Sequence, residues 1–456
     1  MCAKFSPLQN TRLLFTAIFA VVLLVTLSPL PANAIPVMQT WQTSNGVRVM
    51  FVEAHEIPIL DLQLIFAGGS STDPAGKEGL AMLASGLLDE GAAGMHADAI
   101  GYEFERLGAV FGTDVSSDSS SIYLRSLVAP DKFDPALVNF RRVMLQPDFP
   151  QDAIDRQRNR LLIGIQQKKQ SPAALADDAF KAAIFAAHPY ARPEEGTETS
   201  LPGITRDDLI TWQRRVNVSG NALLALVGDL TRAQAEQLAE RVVAELPTGA
   251  AAGPVPPVPA LIQGSEQRIN FPSSQTHIVL GQPGMKYGDP DYFPLLVGNH
   301  ILGGGGLVTR MFKEIREKHG LSYSASSYFS PRREAGPFAA SLQTEAGQTK
   351  QALEVLRATL NVFIKEGPTE AELRAAKQNL TGGFPLRIDG NRKLLAYAGV
   401  IGFYGLPLDY LDQFIGRIES VTVAQIRDAF ARRLDVERMA TVLVGPVEGK
   451  AEGVTP

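Results

Sequence analysis

Hydrophobic and polar residues alternate along several short stretches of this chain and follow a helical period along others. Alternation after a Ser-Asn-Gly turn predicts a β-strand over residues 46–54. The same pattern predicts further strands in the first half, at residues 60–69 and 119–128, and the apolar residues 222–230 predict a buried strand. Apolar residues at helical spacing predict helices between them, at residues 79–90, 97–107, 131–145, 150–170 and 171–187. Strands and helices are therefore expected to alternate through the first half.

The second half of the chain repeats the plan of the first. Residues 208–230 and 425–447 both contain a helix with an Arg-Arg pair, a polar turn and an apolar strand that reaches Val-Gly. Residues 87–111 and 301–323 share a second pattern: a helix end, a glycine-rich break, a helix, a glycine and a strand. Two matches in the same order predict a duplicated α+β domain. Two unrelated α/β domains remain the alternative.

The first 34 residues have the layout of a secretory signal peptide. Lys4 and Arg12 give a basic start, residues 13–27 are apolar, and residues 32–34 read Ala-Asn-Ala, a cleavage sequence of A-x-A type. We therefore predict cleavage after Ala34 and export, to the periplasm if the cell is Gram-negative. An uncleaved membrane anchor is the alternative, although a bilayer span needs about 20 apolar residues.

Residues 247–263 are rich in proline, glycine and alanine and carry no charge, which predicts a linker between two domains. The predicted organisation is a signal peptide over residues 1–34, an N-terminal domain over 35–246, the linker, and a C-terminal domain over 264–456.

Composition excludes several classes of function. The net charge of −5 argues against a nucleic-acid-binding protein, because such domains are usually basic. The single cysteine, Cys2, excludes an internal disulfide framework and a cysteine-based zinc site. No two of the six histidines lie within five residues of each other, so the helical zinc motifs H-E-x-x-H and H-x-x-E-H are absent.

One segment of the second half resembles a known family. Residues 311–329, preceded by Ile-Leu-Gly-Gly-Gly-Gly, look like the C-terminal-domain signature of the M16 metallopeptidases, the family of pitrilysin, insulinase and the mitochondrial processing peptidase. The resemblance implies an α+β fold of two homologous tandem domains, each a mostly antiparallel sheet packed with helices (the M16/LuxS-like fold). The length of the chain resembles the bacterial M16B branch.

Active members of this family bind zinc through H-x-x-E-H in the first domain and a glutamate in a later helix. The matching positions of the motif are Met82, Ser85 and Gly86, and the third ligand falls at Ile163 or Gly164. None of these side chains can replace histidine or carboxylate at zinc, and serine cannot act as the general base. We therefore expect this chain to bind no metal and not to hydrolyse peptides alone.

The family's second domain supplies an arginine and a tyrosine that contact the substrate backbone. The matching residues are Arg316 and Tyr323. The sequence predicts Arg316 in the last turn of a helix that ends before Gly320, and Tyr323 at the start of a strand, on one face with Leu321, Ala325 and Ser327. The alternative is a structural role for both residues: the helix dipole favours an arginine at this position, and the tyrosine packs as an ordinary strand residue.

The family's first domain also has an edge strand that pairs with extended substrate. The matching segment is residues 108–128, where Thr113, Ser116, Ser121 and Tyr123 keep its polar pattern only approximately. Strand addition remains physically possible there. A solvated polar edge that resists aggregation explains the same serines.

The resemblance implies a non-catalytic subunit. A separate M16B chain bearing H-x-x-E-H would bind zinc and form a heterodimer with this one around an extended, unfolded peptide, to which Arg316 and Tyr323 contribute. Nucleic acid is not an expected partner, and a membrane is one only if the signal segment is uncleaved. A peptide-binding or structural scaffold without a protease partner, and a peptidase with unorthodox ligands, are the alternatives.

Overall fold

Two β-sheets organise the chain, one in each half. The computed structural model describes residues 36–446, so the predicted signal peptide and its cleavage site lie outside the described residues. None of the helices within that range is long and apolar enough to cross a membrane.

The first sheet has six strands in the order β1-β2-β8-β3-β7-β6. Strands β2 and β8 run parallel, and every other neighbouring pair is antiparallel. Its strands are β1 Met38–Gln42, β2 Arg48–Glu53, β3 Ile59–Phe66, β6 Val110–Val115, β7 Ser120–Leu127 and β8 Ala222–Gly228. A separate two-stranded hairpin is formed by β4 Gly91–Ala92 and β5 Met95–His96.

The second sheet has five strands in the order β11-β12-β10-β13-β9, with β13 and β9 parallel and the other pairs antiparallel. Its strands are β9 Ser265–Asn270, β10 Gln275–Pro283, β11 Ala325–Phe329, β12 Pro337–Glu345 and β13 Ala440–Gly445. Replacing β6, β7, β3, β8 and β2 by β11, β12, β10, β13 and β9 reproduces this order. The predicted duplication of a mostly antiparallel α+β domain is confirmed, and two unrelated domains are excluded.

Thirteen α-helices lie within the described residues. Those of the first half are α1 Leu80–Gly86, α2 Ala97–Glu105, α3 Pro130–Leu145, α4 Gln151–Lys168, α5 Pro172–Phe185, α6 Arg206–Val216 and α7 Arg232–Val243. Those of the second are α8 Tyr292–Asn299, α9 Thr349–Glu366, α10 Glu370–Gly382, α11 Asn391–Tyr404, α12 Tyr410–Ser420 and α13 Val423–Arg433. The helix predicted over 79–90 is shorter, ending at Gly86.

Each half covers one face of the other half's sheet with a helix. Helix α5 of the first half packs on β10 and β13, and α11 of the second half packs on β8, β2 and β3. Phe180 and Ile184 of α5 join Val442 and Val444 of β13 in one buried cluster. One face of each sheet is therefore covered by a helix of the other half, while the first half also has a large core cluster of its own, within residues 47–246.

Small residues let α11 approach the first sheet closely. A Cβ atom added at Gly402 would lie 2.6 Å from Met50 Cγ and 2.7 Å from Leu223 Cδ2. The backbone of α11 at Gly402 thus packs directly on the side chains of Met50 in β2 and Leu223 in β8, which is the close packing expected of a protein interior.

A buried carboxylate joins the halves at their boundary. Asp118, in the turn between β6 and β7, accepts hydrogen bonds from the Tyr190 hydroxyl at 2.5 Å, the Arg333 backbone N–H at 2.8 Å and the Tyr404 hydroxyl at 3.1 Å. The predicted linker forms no helix or strand and is mostly exposed, but the carbonyl of Pro256 lies 2.7 Å from His188 Nε2.

Candidate functional site

The helical segment that carries Arg316 is fixed at its start by two polar contacts. It continues from Met311 as a π-helix over Phe312–Lys318. The Thr309 hydroxyl accepts from the Phe312 N–H at 3.2 Å, as an N-cap does. Arg310 donates two hydrogen bonds, at 2.8 and 2.7 Å, to the carboxylate of Glu372 on α10. This bidentate pair ties the segment to a neighbouring helix.

Glu372 is a residue that the sequence reading missed. Burial alone would raise the pKa of its carboxyl, but hydrogen bonds from Arg310 and Thr369 outweigh that effect and lower the pKa to about 2. The pattern Thr369-x-x-Glu372 is a capping box, which the sequence could have indicated. Its pairing with Arg310 joins residues 62 positions apart and has no local signal.

The segment ends where the sequence predicts. Arg316 is in the last turn, and Gly320 adopts a left-handed conformation with φ of +65°. The N–H groups of Gly320 and Leu321 bond back to the carbonyls of Arg316 and Ile315 at 3.0 and 2.9 Å. Leu321 is buried and anchors the turn.

The prediction that Tyr323 starts a strand is wrong. Strand β11 begins at Ala325, and Tyr323 occupies a bend held by Ser322, whose hydroxyl bonds to both the carbonyl and the N–H of Ser324. Leu321, Ala325 and Ser327 are buried together, whereas Tyr323 is 79% exposed. The bend rotates its side chain away from the core, so ordinary strand packing does not explain this tyrosine.

The structure brings Arg316 and Tyr323 together. The guanidinium carbon of Arg316 lies 5.8 Å from the centre of the Tyr323 ring and 4.8 Å from that of Phe312. Arg316 Nη1 lies 3.4 Å from the Tyr323 carbonyl oxygen, a long hydrogen bond. Within residues 36–446, the Tyr323 hydroxyl makes no hydrogen bond. Two donors are thus held side by side at the surface, which is the chemistry needed to bind a peptide carbonyl or an oxyanion.

A cleft of about 390 Å³ lies next to the pair, on the second sheet. It starts at Ser324, the residue after Tyr323. Its lining mixes polar and apolar side chains from three strands and from helix α5 of the first half. The polar ones include Ser326, Tyr328, His277, Ser341, Gln343 and Asp177. Burial lowers the pKa of His277, which favours the neutral imidazole there.

The four-glycine segment before Arg316 covers the free edge of β11. A Cβ at Gly303 would lie 2.5 Å from the backbone nitrogen of Ser327, so only glycine allows this approach. The Asn299 side chain donates to the Ser327 carbonyl at 3.1 Å and accepts from the Ser327 hydroxyl at 2.7 Å. An added strand could not pair with β11 at this point.

The degenerate zinc positions lie on α1 and α4. Met82 and Gly86 are four residues apart and share one face of α1, and Ser85 is buried beside them. A Cβ at Gly86 would lie 3.3 Å from Gln157 Nε2 of α4, whereas nothing approaches within 4 Å of a Cβ at Gly164. The thioether of Met82, the hydroxyl of Ser85 and two glycines, which have no side chain, do not form a zinc ligand set.

Two of the histidines, His188 and His55, make contacts within the fold. Nδ1 of His188 accepts from the Tyr190 N–H at 3.1 Å, and His55 lies between the carboxylates of Asp229 and Glu53, at 2.6 and 2.8 Å. In the part of the chain that the structure describes, no three histidine, cysteine or acidic side chains converge in a group that could hold a metal ion.

Only part of residues 108–128 is an edge strand. Strand β6, with Thr113, is the outermost strand of the first sheet, but β7, with Ser121 and Tyr123, lies between β6 and β3. The Ser121 hydroxyl accepts from Gln63, and the Tyr123 hydroxyl donates to buried Asp61 at 2.5 Å. The polar side chains of β7 are therefore structural, and within residues 108–128 an added peptide strand could pair with β6 but not with β7.

This duplicated fold and the lost ligand positions define an inactive relative of a zinc peptidase. The chain matches the family description "Insulinase (Peptidase family M16)" over residues 48–198 and "Peptidase M16 inactive domain" over residues 203–380. This chain belongs to the peptidase M16 family.

Similar proteins, one of known structure and two known by sequence, match this chain over most of its length. The crystal structure of the peptidase M16 inactive domain from Pseudomonas fluorescens is 41% identical and superposes with a TM-score of 0.87, over 90% of this chain and 98% of that one. The non-peptidase homolog YmxG of Helicobacter pylori is 26% identical, over 87% of this chain and 91% of its own length. A Bacillus subtilis relative called an uncharacterized zinc protease is 22% identical, over 90% and 98% respectively. The chain is an inactive M16-like protein.

Proposed function

We propose that this chain is the non-catalytic subunit of an M16B peptidase heterodimer in the exported compartment. Zinc and water activation belong to a partner chain that carries H-x-x-E-H. Arg316 and Tyr323 of this chain bind the backbone carbonyl of an extended peptide held between the two subunits. They stabilise the negative charge that develops on that oxygen.

The exposure of Tyr323 carries the proposal. A tyrosine that only packs buries its ring and finds a partner for its hydroxyl. Tyr323 is 79% exposed, and its position is set by a bend, a helix end and a neighbouring guanidinium. Several contacts position this pair, yet both side chains face solvent. This arrangement favours a role in binding a ligand over a role in core packing.

The cleft next to the pair supports a peptide as that ligand. It continues from Ser324 along the second sheet, and about 390 Å³ is sufficient for several atoms beyond a single carbonyl. Its serine, tyrosine and glutamine side chains offer hydrogen bonds of both kinds to a polar segment.

The test is turnover of an unfolded fluorogenic peptide by the reconstituted pair of chains. We expect Tyr323→Phe to lower kcat by about 100- to 1000-fold, the usual effect of removing one oxyanion donor. Arg316→Ala should have an effect of similar size. The matched control is Tyr102→Phe, which removes a hydroxyl from a tyrosine that is 63% exposed in the first half.

Complex formation, measured by size-exclusion chromatography, should be unchanged in all three variants. If the double variant Arg316→Ala, Tyr323→Phe turns over the peptide at the wild-type rate, the pair has no such role. Failure to find any H-x-x-E-H partner would favour the second candidate, a peptide-binding scaffold that works without a protease.

A further inference from the structure

The second sheet lacks a strand that the first sheet has. In the first half, β2 pairs with β8 in parallel on one side and with β1, antiparallel, on the other. In the second half, β9 pairs with β13 as β2 pairs with β8. The two pairs are in the same register, because Glu53 lies opposite Gly228 and Asn270 lies opposite Gly445 at their ends. Within the described residues no strand lies beyond β9, so the place that β1 takes in the first sheet is an open edge in the second.

The direction of the backbone groups on this open edge follows from the pairing of β9 with β13. The Phe271 N–H donates to the Gly445 carbonyl at 2.9 Å. In a parallel pair, every second residue of a strand bonds to the same neighbouring strand. Counting back from Phe271, the odd-numbered residues of β9 bond to β13. The backbone N–H and C=O groups of Glu266 and Arg268 therefore point to the open side.

The open edge is exposed and carries charges of both signs. The first four residues of β9, 265–268, are exposed, whereas every residue of β13 is buried. Arg268 Nε lies 2.9 Å from Glu266 Oε1, and both side chains are largely exposed. Proteins usually protect such an edge from pairing with lysines or a proline. Opposite charges at the two outward positions instead favour pairing with a strand that carries the same two charges in reverse order.

We propose that this edge pairs with the same edge of a second copy of the chain, so that the two second sheets become one continuous sheet. A two-fold axis makes the two β9 strands antiparallel and places one residue opposite itself. With Gln267 at the axis, Glu266 of each copy lies opposite Arg268 of the other. These are the residues whose backbone groups point outward, so each opposed pair exchanges two backbone hydrogen bonds and forms an ion pair.

Charge selects this register among those that the backbone allows. Outward-pointing residues must oppose outward-pointing residues, so the axis has to pass through a residue and not between two residues. An axis at Glu266 or at Arg268 would place like charges opposite each other, which is destabilising. With the axis at Gln267, Ile262, which is 87% exposed just before β9, comes opposite Pro272 of the second copy and gains an apolar contact.

The proposed interface and the arginine–tyrosine pair lie at opposite edges of the second sheet. Strand β9 is the last strand on one side, and Tyr323 comes just before β11, the last strand on the other. The cleft beside Tyr323 is lined by β10, β11, β12 and α5, and β9 contributes nothing to it. Self-association through β9 therefore goes beyond the proposed peptidase role and does not depend on it.

The experiment is sedimentation velocity of the purified chain alone, from about 1 to about 500 µM. The edge is only six residues long, so we expect a weak dimer with a Kd of about 1–100 µM. Arg268→Glu and Glu266→Arg should each raise the Kd about tenfold or more, because both ion pairs become like-charge pairs. Arg241→Glu is the matched control and should dimerise like the wild type. Arg241 on α7 is 52% exposed and ion-paired, and Arg268 is 51% exposed and ion-paired.

Mixing the two variants separates strand pairing from any other association. A strand with Arg268→Glu is complementary to a strand with Glu266→Arg, so the mixture should dimerise with about the wild-type Kd. Should either single variant misfold, the double variant Glu266→Arg, Arg268→Glu replaces it. The double variant should dimerise with itself but not with the wild-type chain. A wild-type chain that is monomeric at about 500 µM, a dimer unaffected by the charge reversals, or a mixture that stays monomeric overturns the proposal.

Discussion

At the scale of single residues, a few polar contacts place Arg316 and Tyr323. Ser322 holds the bend that exposes Tyr323, and the Arg310–Glu372 pair holds the start of the helix that ends with Arg316. Both contacts lie outside the pair itself. They explain how two surface side chains can have a defined geometry without being packed in the core.

The Arg310–Glu372 pair gives a pH dependence of stability. The folded pKa of Glu372, about 2, lies below its ordinary value of 4.5. This group therefore contributes stability above pH 4.5, and the contribution is lost as the pH falls through that value towards 2. We expect Glu372→Gln to remove about 2–3 kcal/mol at pH 7 and much less at pH 3, allowing for partial screening by solvent.

Denaturant unfolding between pH 3 and pH 7 measures this effect. Glu370→Gln is the control, because Glu370 is an exposed acid in the same first turn of α10. Its stability should follow that of the wild type with pH. Parallel pH curves for wild type and Glu372→Gln would contradict the assigned role of the pair.

Sequence alone reached part of this site. The helix end at Gly320 and the nearness of Arg316 and Tyr323 follow from a glycine after a helix. The exposure of Tyr323 could not be predicted from the sequence, because it depends on a bend before β11 that the hydroxyl of Ser322 stabilises. The role of Glu372 could not be predicted either, because its partner Arg310 lies in another helical segment. Local periodicity carries no information about either contact.

At the scale of elements, the exchanged helices α5 and α11 determine the architecture. The sequence predicted a helix over residues 171–187 but could not assign it to the sheet of the other half. Helical spacing shows which face of a helix is buried, not which sheet that face packs against. In α11 the only hint is two glycines, Gly399 and Gly402, three residues apart on one face. The need for glycine at these positions follows only from the structure, where an added Cβ would lie too close to Ile65, Met50 or Leu223.

A pair of glycine substitutions tests the close packing of α11. Gly402→Ala places a methyl group less than 3 Å from Met50 and Leu223, and we expect it to destabilise the protein by about 1–2 kcal/mol. Gly416→Ala in α12 meets nothing within 4 Å and should stabilise by up to about 1 kcal/mol through helix propensity. Thermal and urea unfolding would reveal the opposite signs. A stabilising Gly402→Ala would mean that α11 does not pack this closely.

At the scale of the whole molecule, the two halves depend on each other. Removing α11 would uncover Met50, Ile65 and Leu223, at a cost of about 5–9 kcal/mol. That is comparable to the total stability of a typical domain, about 5–15 kcal/mol. Duplication of the α+β plan was readable from the sequence, but this interdependence was not, because the matching segments resemble two independent domains.

Expression of the halves separately tests the interdependence. We expect residues 37–246 alone to show no cooperative thermal transition by circular dichroism. When co-expressed with residues 247–456, the two fragments should purify together and unfold in one transition. A sharp, reversible transition in the isolated first half would show that it does not need α11.

The lost ligand positions and the exposed arginine–tyrosine pair together predict a division of labour between two chains. The measurement that tests this most directly is peptide hydrolysis by this chain, by an H-x-x-E-H-bearing M16 chain from the same cell, and by the two mixed. We expect a stable complex that hydrolyses an unfolded peptide at least 100-fold faster than either chain alone, with zinc bound only to the partner. Full activity of the partner by itself, or stoichiometric zinc in this chain, would contradict the account.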